Sequence, residues 1–170
     1  MSRTREPAPP CTRLGDRGLA PDRVLLWHFR EILWAMSQEN VEKLRAFLLQ
    51  APADQDPGRL DLSVLDPDVV FEDTVLPDHI REVYRGHEGV VRAIRTWLDV
   101  FEEFAIELER IVGSGDRLVS IHRFRAKGRH SGIEQSMRYA YLWTFRNAKV
   151  VHYVSFRDPT EALEAVGLSE

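Results

Sequence analysis

Up to Phe104 the apolar residues recur mostly at three- and four-residue spacing, and after it they alternate. The first regime predicts helices, the second strands. "MSQENVEKLRAFLL" begins with Ser37 as a good N-cap and Asn40 where a capping-box acid would stand. Val41, Leu44, Phe47 and Leu48 follow at helical spacing, predicting a helix over about 38–50. "APADQDPG" is a loop, "RLDLSVLD" reads as a short helix ending before Pro67, and "DVVFEDT" as a strand. "GHEGVVRAIRTWLDVFEEF" reads as one long amphipathic helix with Val90, Ile94, Trp97, Leu98 and Phe101 on its stripe.

Beyond that helix, "AIELERIVGSGDRLVSIHRFRAKG" predicts two strands joined at Gly113–Asp116. "IEQSMRYAYLWTFRNAKVVHYVSFRD" predicts a second pair turning at Asn147-Ala148. "PTEALEAVGL" closes as a helix, with Pro159 in its first turn and Gly167 at its end. The order is ααβαββββα: an α+β domain with a mostly antiparallel sheet and helices on one face.

Residues 1–35 differ. They hold four of nine prolines, six arginines, no lysine and the sole cysteine, Cys11, with net charge +2 against −6 for 36–170. The first eighteen residues have too few apolar groups to pack and are expected to be disordered, while 21–36 could form a helix. We therefore expect an N-terminal extension over 1–35, or untranslated sequence misread as protein, and a working domain over 36–170. One cysteine excludes an intrachain disulfide framework. A net charge of −4 argues against a general nucleic-acid surface. "VLLWHFREILWA" is too short and charged to span a bilayer and lacks a cleavage site after it, so a cytoplasmic protein with no membrane partner is expected.

Four passages in order resemble the SnoaL-like branch of the nuclear transport factor 2-like (NTF2-like) superfamily: "MSQENVEKLRAF", "LDPDVVFED", "YRGHEGVVRAIRTWLDVF" and "LWTFRNAKVVHYVSFRDPTEALEAVGLSE". The resemblance covers about 36–170. It implies a cone, a curved sheet wrapped round helices with an open apolar pocket. It also implies a homodimer joined through the outer sheet face. Phe47, Phe71, Trp97, Phe101 and Trp143 are the side chains expected to line the pocket. No cofactor is implied. The superfamily holds isomerases, cyclases, epoxide hydrolases, dehydratases and ligand-binding modules, so the fold does not choose among them.

Candidate chemistry is sparse. Val69, Phe71 and Asp73 share one strand face, so Asp73 is either a carboxylate at an apolar pocket, able to act as a base, or a strand end bonded to nearby N–H groups. "FED" resembles the stretch that carries the proton-abstracting Asp of steroid-isomerase-like relatives. Those relatives hold the oxyanion with a first-helix tyrosine and a late-strand acid; here stand Ala46 and Phe47, then Tyr141. The steroid-isomerase pattern is thus broken, and the Asp-Arg-Asp set of the epoxide hydrolases cannot be placed. His122 shares a face with Leu118, Ser120 and Phe124, as a pocket acid or base or as a hydrogen-bonded core residue. His152 has the same ambiguity. Tyr139, Tyr141, Trp143 and Phe145 share one strand face: pocket wall, core or partner surface. Arg123, Arg125, Lys127 and Arg129 suit a solvated strand face better than an anion site. Six histidines form no HxH or HExxH pattern, so no metal site is expected. Two functions stay open: a pocket protein binding a small apolar ligand, or a cofactor-independent enzyme acting on a carbonyl or polyketide-like compound with Asp73 or His122 as base.

Overall fold

The structure, a computed structural model, describes residues 38–50, 56–75 and 82–168. Helix α1 covers residues 38–48. Its Leu44 is fully buried, and Val41, Phe47 and Leu48 pack on the same core, as the spacing predicts. Ser37 and the proposed boundary at Met36 lie outside the described residues. Six strands and two further helices follow: β1 (Leu65–Glu72), β2 (Val83–Arg85), α2 (Gly86–Val100), β3 (Phe101–Ser114), β4 (Arg117–Gly128), β5 (Glu134–Arg146), β6 (Lys149–Phe156) and α3 (Pro159–Glu164).

The strands form one open sheet in the order β2-β1-β6-β5-β4-β3. Every neighbouring pair is antiparallel except β1 with β6. Register shifts at Leu65/Val70, Leu108/Arg110 and Thr144/Phe145 add residues to one strand of a pair. Such bulges bend and twist a sheet. The result is the α+β cone, with α1 and α2 packed in the concave face. Concave positions of β4 and β5 alternate with convex ones: Leu118, Ser120, His122 and Phe124 pair across from Trp143, Tyr141, Tyr139 and Met137. The convex residues Val119, Ile121, Ala140 and Leu142 pack under Ala162 and Leu163 of α3. Helices therefore lie on both faces, not one, because β4 and β5 are apolar on both sides at this end of the sheet.

Two local expectations are corrected, and one strand is added. "RLDLSVLD" is not a helix: only Pro57–Arg59 makes a 3-10 turn, and Leu65 already begins β1. The side chains of Asp61 and Asp66 take the N–H groups of Ser63 and Asp68, competing with helical bonds, and Pro67 disfavours helical Asp66. Helix α2 ends at Val100 rather than Phe104. The Arg129 guanidinium donates to the carbonyls of Leu98 and Phe101 at 2.8 and 3.1 Å, and its N–H to that of Val100 at 3.0 Å, closing the helix where β3 begins. The short β2 carried no signal in the chain; it exists by pairing with β1. Directly after it, Gly86 adopts φ +67°, and a Cβ on Gly89 would stand 3.1 Å from the Tyr84 backbone. These two glycines let α2 start tightly against β2.

The β5–β6 turn at Asn147 and Ala148 has φ values of 51° and 58°, the two left-handed positions of a tight hairpin. Asn tolerates that conformation; Ala does not. Ala148→Gly should relieve roughly 1–2 kcal/mol of strain, offset in part by the freer unfolded chain. Urea unfolding should show a net gain of about 0.5–1 kcal/mol. No gain would mean that the turn relaxes in solution.

Candidate functional site

The concave face of the sheet and the two inner helices enclose a cavity of about 460 Å³. This size suits a small organic molecule. Its floor is aromatic: Phe71 from β1, Tyr139, Tyr141 and Trp143 from β5, and Tyr153 from β6. Phe47 and Leu48 of α1, and Val90, Ala93, Ile94 and Trp97 of α2, close the other side. Phe104, Ala105 and Ile106 of β3 edge it, and Ile106 is half exposed. The rings pack tightly: Phe71 stacks on Tyr153 at 4.3 Å and Tyr153 on Trp143 at 4.5 Å between centroids. Among the described residues no Lys, Arg, Asp or Glu lines the cavity.

Asp73 is 1% exposed, one residue past the end of β1, and is not among the lining residues. Oδ1 accepts the Val75 N–H at 3.0 Å and the Ser155 hydroxyl at 3.1 Å; Oδ2 accepts the Trp97 indole N–H at 2.9 Å. Ser155 Oγ in turn accepts the Thr74 N–H at 2.7 Å. The carboxylate thus ties the end of β1 to β6 and α2 from behind Trp97. Three phenols lie near it. Burial pushes Tyr139, Tyr141 and Tyr153 far above the usual tyrosine range, and the Asp73 charge adds to the shift. All three are neutral, and Tyr141 and Tyr139 hydrogen-bond to each other.

His122 does reach the cavity. It is 2% exposed, with its ring stacked against Tyr139 at 5.2 Å and edge-on to Tyr141 at 5.5 Å. Nε2 lies 2.8 Å from Ser120 Oγ, which accepts the Trp143 indole N–H at 2.7 Å. Nδ1 has no hydrogen-bond partner among the described residues. Burial holds the imidazole down at about 4, against the upward pull of Glu109, so His122 is neutral at pH 7.

Of the residues expected to line the pocket, Phe47, Phe71, Trp97 and Trp143 do so, as do His122 and Tyr141. Phe101 does not: it begins β3 and packs behind, 5.7 Å from Trp97 and 5.0 Å from Phe124. His152 is on the outer face, 2.8 Å from Glu72. Arg123 and Arg138 pair with Glu109, and Arg129 closes α2. The sequence reading missed the role of Ser120. Its place on His122's face was visible, but its bond to Trp143 needed the β4–β5 register. Tyr153 and Ser155 were missed because their partners lie on β1, some eighty residues away in the chain.

The SnoaL-like domain profile matches residues 44–153. No curated protein is significantly similar in sequence. Several solved structures share the fold. An NTF2-like protein of unknown function from Burkholderia pseudomallei K96243 superposes with TM-score 0.58 at 22% identity, over 76% of this chain and 98% of that one. TerC, co-crystallized with polyporic acid, gives 0.59 at 20% identity over 75% and 97%. A candidate SnoaL-like polyketide cyclase from Jannaschia sp. CCS1 gives 0.57 at 18% identity over 79% and 96%. At these identities the likeness extends to the fold and no further. Because the profile spans well over half of the chain, the chain belongs to the SnoaL-like domain family, and it shares the fold of the NTF2-like neighbours.

Proposed function

We propose that this chain binds a small, flat, largely apolar organic molecule in the concave cavity, and that binding rather than turnover is its role. The observation that carries this reading is the wall itself: about 460 Å³ enclosed by aromatic and aliphatic side chains, with no charged side chain on it among the described residues. TerC, a fold neighbour, was crystallized with an organic acid, which supports a ligand-holding use of this architecture. The catalytic alternative needs a base, Asp73 or His122. Both Asp73 oxygens accept hydrogen bonds from protein groups behind the cavity wall, and His122 titrates near 4, too low for an effective base at neutral pH. The phenols of Tyr139, Tyr141 and Tyr153 on the cavity floor are neutral and supply no base. These points weigh toward the binder.

The direct test uses Nile red, an uncharged solvatochromic dye. One dye per chain should bind with blue-shifted emission. Ile94→Trp places a large side chain in the cavity from α2 and should weaken the dye by about tenfold or more, about 1.4 kcal/mol, with the melting temperature little changed. Equal binding by the variant would put the dye elsewhere and remove the support for this site.

Asp73 has a structural role in this reading. Asp73→Asn keeps the shape but turns an NH2 group toward one of three donors. It should cost about 1–3 kcal/mol in urea unfolding at pH 7, the penalty for an unsatisfied buried group. Stability equal to or above the native chain's would return Asp73 to candidacy as a cavity base.

We further propose a homodimer through the convex face, where Val70, Val154 and Phe156 stay partly exposed beside the strip covered by α3. Light scattering should give about twice the 19.7 kDa chain mass. Residues 36–170 alone should melt cooperatively and also dimerise. A monomer at micromolar concentration rules out the interface, and a molten fragment would move the boundary upstream of Met36.

A further inference from the structure

The two edges of the sheet are finished differently. β2, at one edge, is three residues long. A strand that short leaves little backbone for another chain to pair with. β3, at the other edge, runs for 14 residues, and among the described residues no strand lies along its outer side. It contains no proline and no lysine, the residues that commonly blunt an edge. Ala105, Ile106, Glu107 and Arg110 are exposed, and Leu108, Ile111 and Val112 are half-buried. β3 does carry a bulge, and the bulge puts this row in order. In a regular strand Glu107 and Arg110 would point to opposite faces. Here Glu107 pairs with Arg123, Leu108 with His122 and Arg110 with Ile121, so Glu109 is the extra residue. Glu107 and Arg110 therefore share the convex face, one on each side of Leu108. The Glu109 carboxylate accepts from Arg123 at 3.0 Å and from Arg138 at 3.0 Å, which fixes the bulge to its own sheet. Stepping outward from Leu108 in the β4 register, Ile106 matches Ile111 on the concave face, and Ala105 matches Val112 on the convex one. Turned end for end, this row sets apolar on apolar and acid on base.

We propose that β3 pairs edge to edge with β3 of a second copy, antiparallel about a two-fold axis at Leu108. Glu107 of each copy then faces Arg110 of the other, and Ile106 faces Ile111, each pair made twice by the symmetry. Moving the axis one position either way would set Glu107 or Arg110 against its own copy, and like charges directly opposite are unfavourable. Phe104, Ala105 and Ile106 edge the cavity, and Ile106 is half exposed there. A second β3 continues the concave sheet past this margin, so that the second copy's Ile111 covers Ile106. The contact is separate from the convex-face interface and independent of what the cavity binds. A chain that makes both contacts assembles in fours.

Cysteines read the position of the axis, in a chain whose own Cys11 is replaced by Ser. Directly opposed residues of an antiparallel pair have Cα atoms about 4.5–5.5 Å apart, within reach of a disulfide. Leu108→Cys should therefore join to its own copy under mild oxidation and run as a covalent dimer on a non-reducing gel. Ile106→Cys should not, since its copy lies four positions along, about 14 Å away. Charge reversal tests the same register without oxidation. Glu107→Arg should weaken edge association by about tenfold or more, and Glu107→Arg combined with Arg110→Glu should restore it. The readout is the rise in light-scattering mass from the micromolar to the millimolar range. Both positions are exposed, so neither change disturbs the core. Absence of the Leu108 cross-link, or a cross-link through Ile106, would overturn the inference. So would equal association by the native chain and both charge variants.

Discussion

A carboxylate 1% exposed is tolerable only where donors surround it, and the way Asp73 obtains them sets the geometry of this domain. Its partners come from its own turn, from β6 and from α2. Each hydrogen bond to a charge of this kind is worth about 1.5–3 kcal/mol. The directional demand matters more than the sum. The Trp97 N–H can reach Oδ2 only if α2 sits at one height and rotation over the sheet. Val90, Ala93 and Ile94 are carried on the same helix, so the wall of the cavity is indexed to the carboxylate. Ser155 ties β6 to the end of β1 from the other side, next to the parallel pairing that brings the last strand beside the first.

Two indoles meet two different polar groups, and the contrast separates a closed arrangement from an open one. Trp97 delivers its N–H to a carboxylate whose two oxygens both have donors. Trp143 delivers its N–H to the Ser120 hydroxyl, which also lies 2.8 Å from His122 Nε2, and the other ring nitrogen has no hydrogen-bond partner among the described residues. The first arrangement closes on itself and stabilises. The second leaves a ring nitrogen buried without a hydrogen-bond partner among the described residues, an arrangement that does not close on itself. Burial keeps the imidazole neutral, so the missing bond costs a dipole rather than a charge.

Much of this architecture was legible in the chain because periodicity reports which face a residue occupies. The alternation in "LVSIHRFRAKG" and "RYAYLWTF" placed His122, Tyr139, Tyr141 and Trp143 on faces that the structure keeps. Asn147-Ala148 marked its turn, and Pro159 and Gly167 bounded α3; the N–H of Leu168 returns to the carbonyl of Leu163 past that glycine. What was illegible depends on contacts distant in sequence. The stop of α2 at Val100 is set by Arg129, and the stripe through Phe101 gave no sign of it. β2 is three residues long and exists only by pairing with β1. The loss of the expected helix before Pro67 was legible in principle, since Asp61 and Asp66 are poor helix residues with local alternatives.

The same periodicity explains how one fold can accept unrelated ligands. Positions 120 and 122 lie on the concave face of a central strand, and their backbone groups are committed to the ladders on either side. Exchanging their side chains changes the chemistry of the cavity without breaking the sheet. Asp73 has no such freedom, because its carboxylate is shared by the elements that shape the cavity. Divergence within this architecture is thus expected to fall on residues such as Ser120 and His122, whose side-chain bonds run to each other and to Trp143 and tie no two elements to the helix that shapes the cavity.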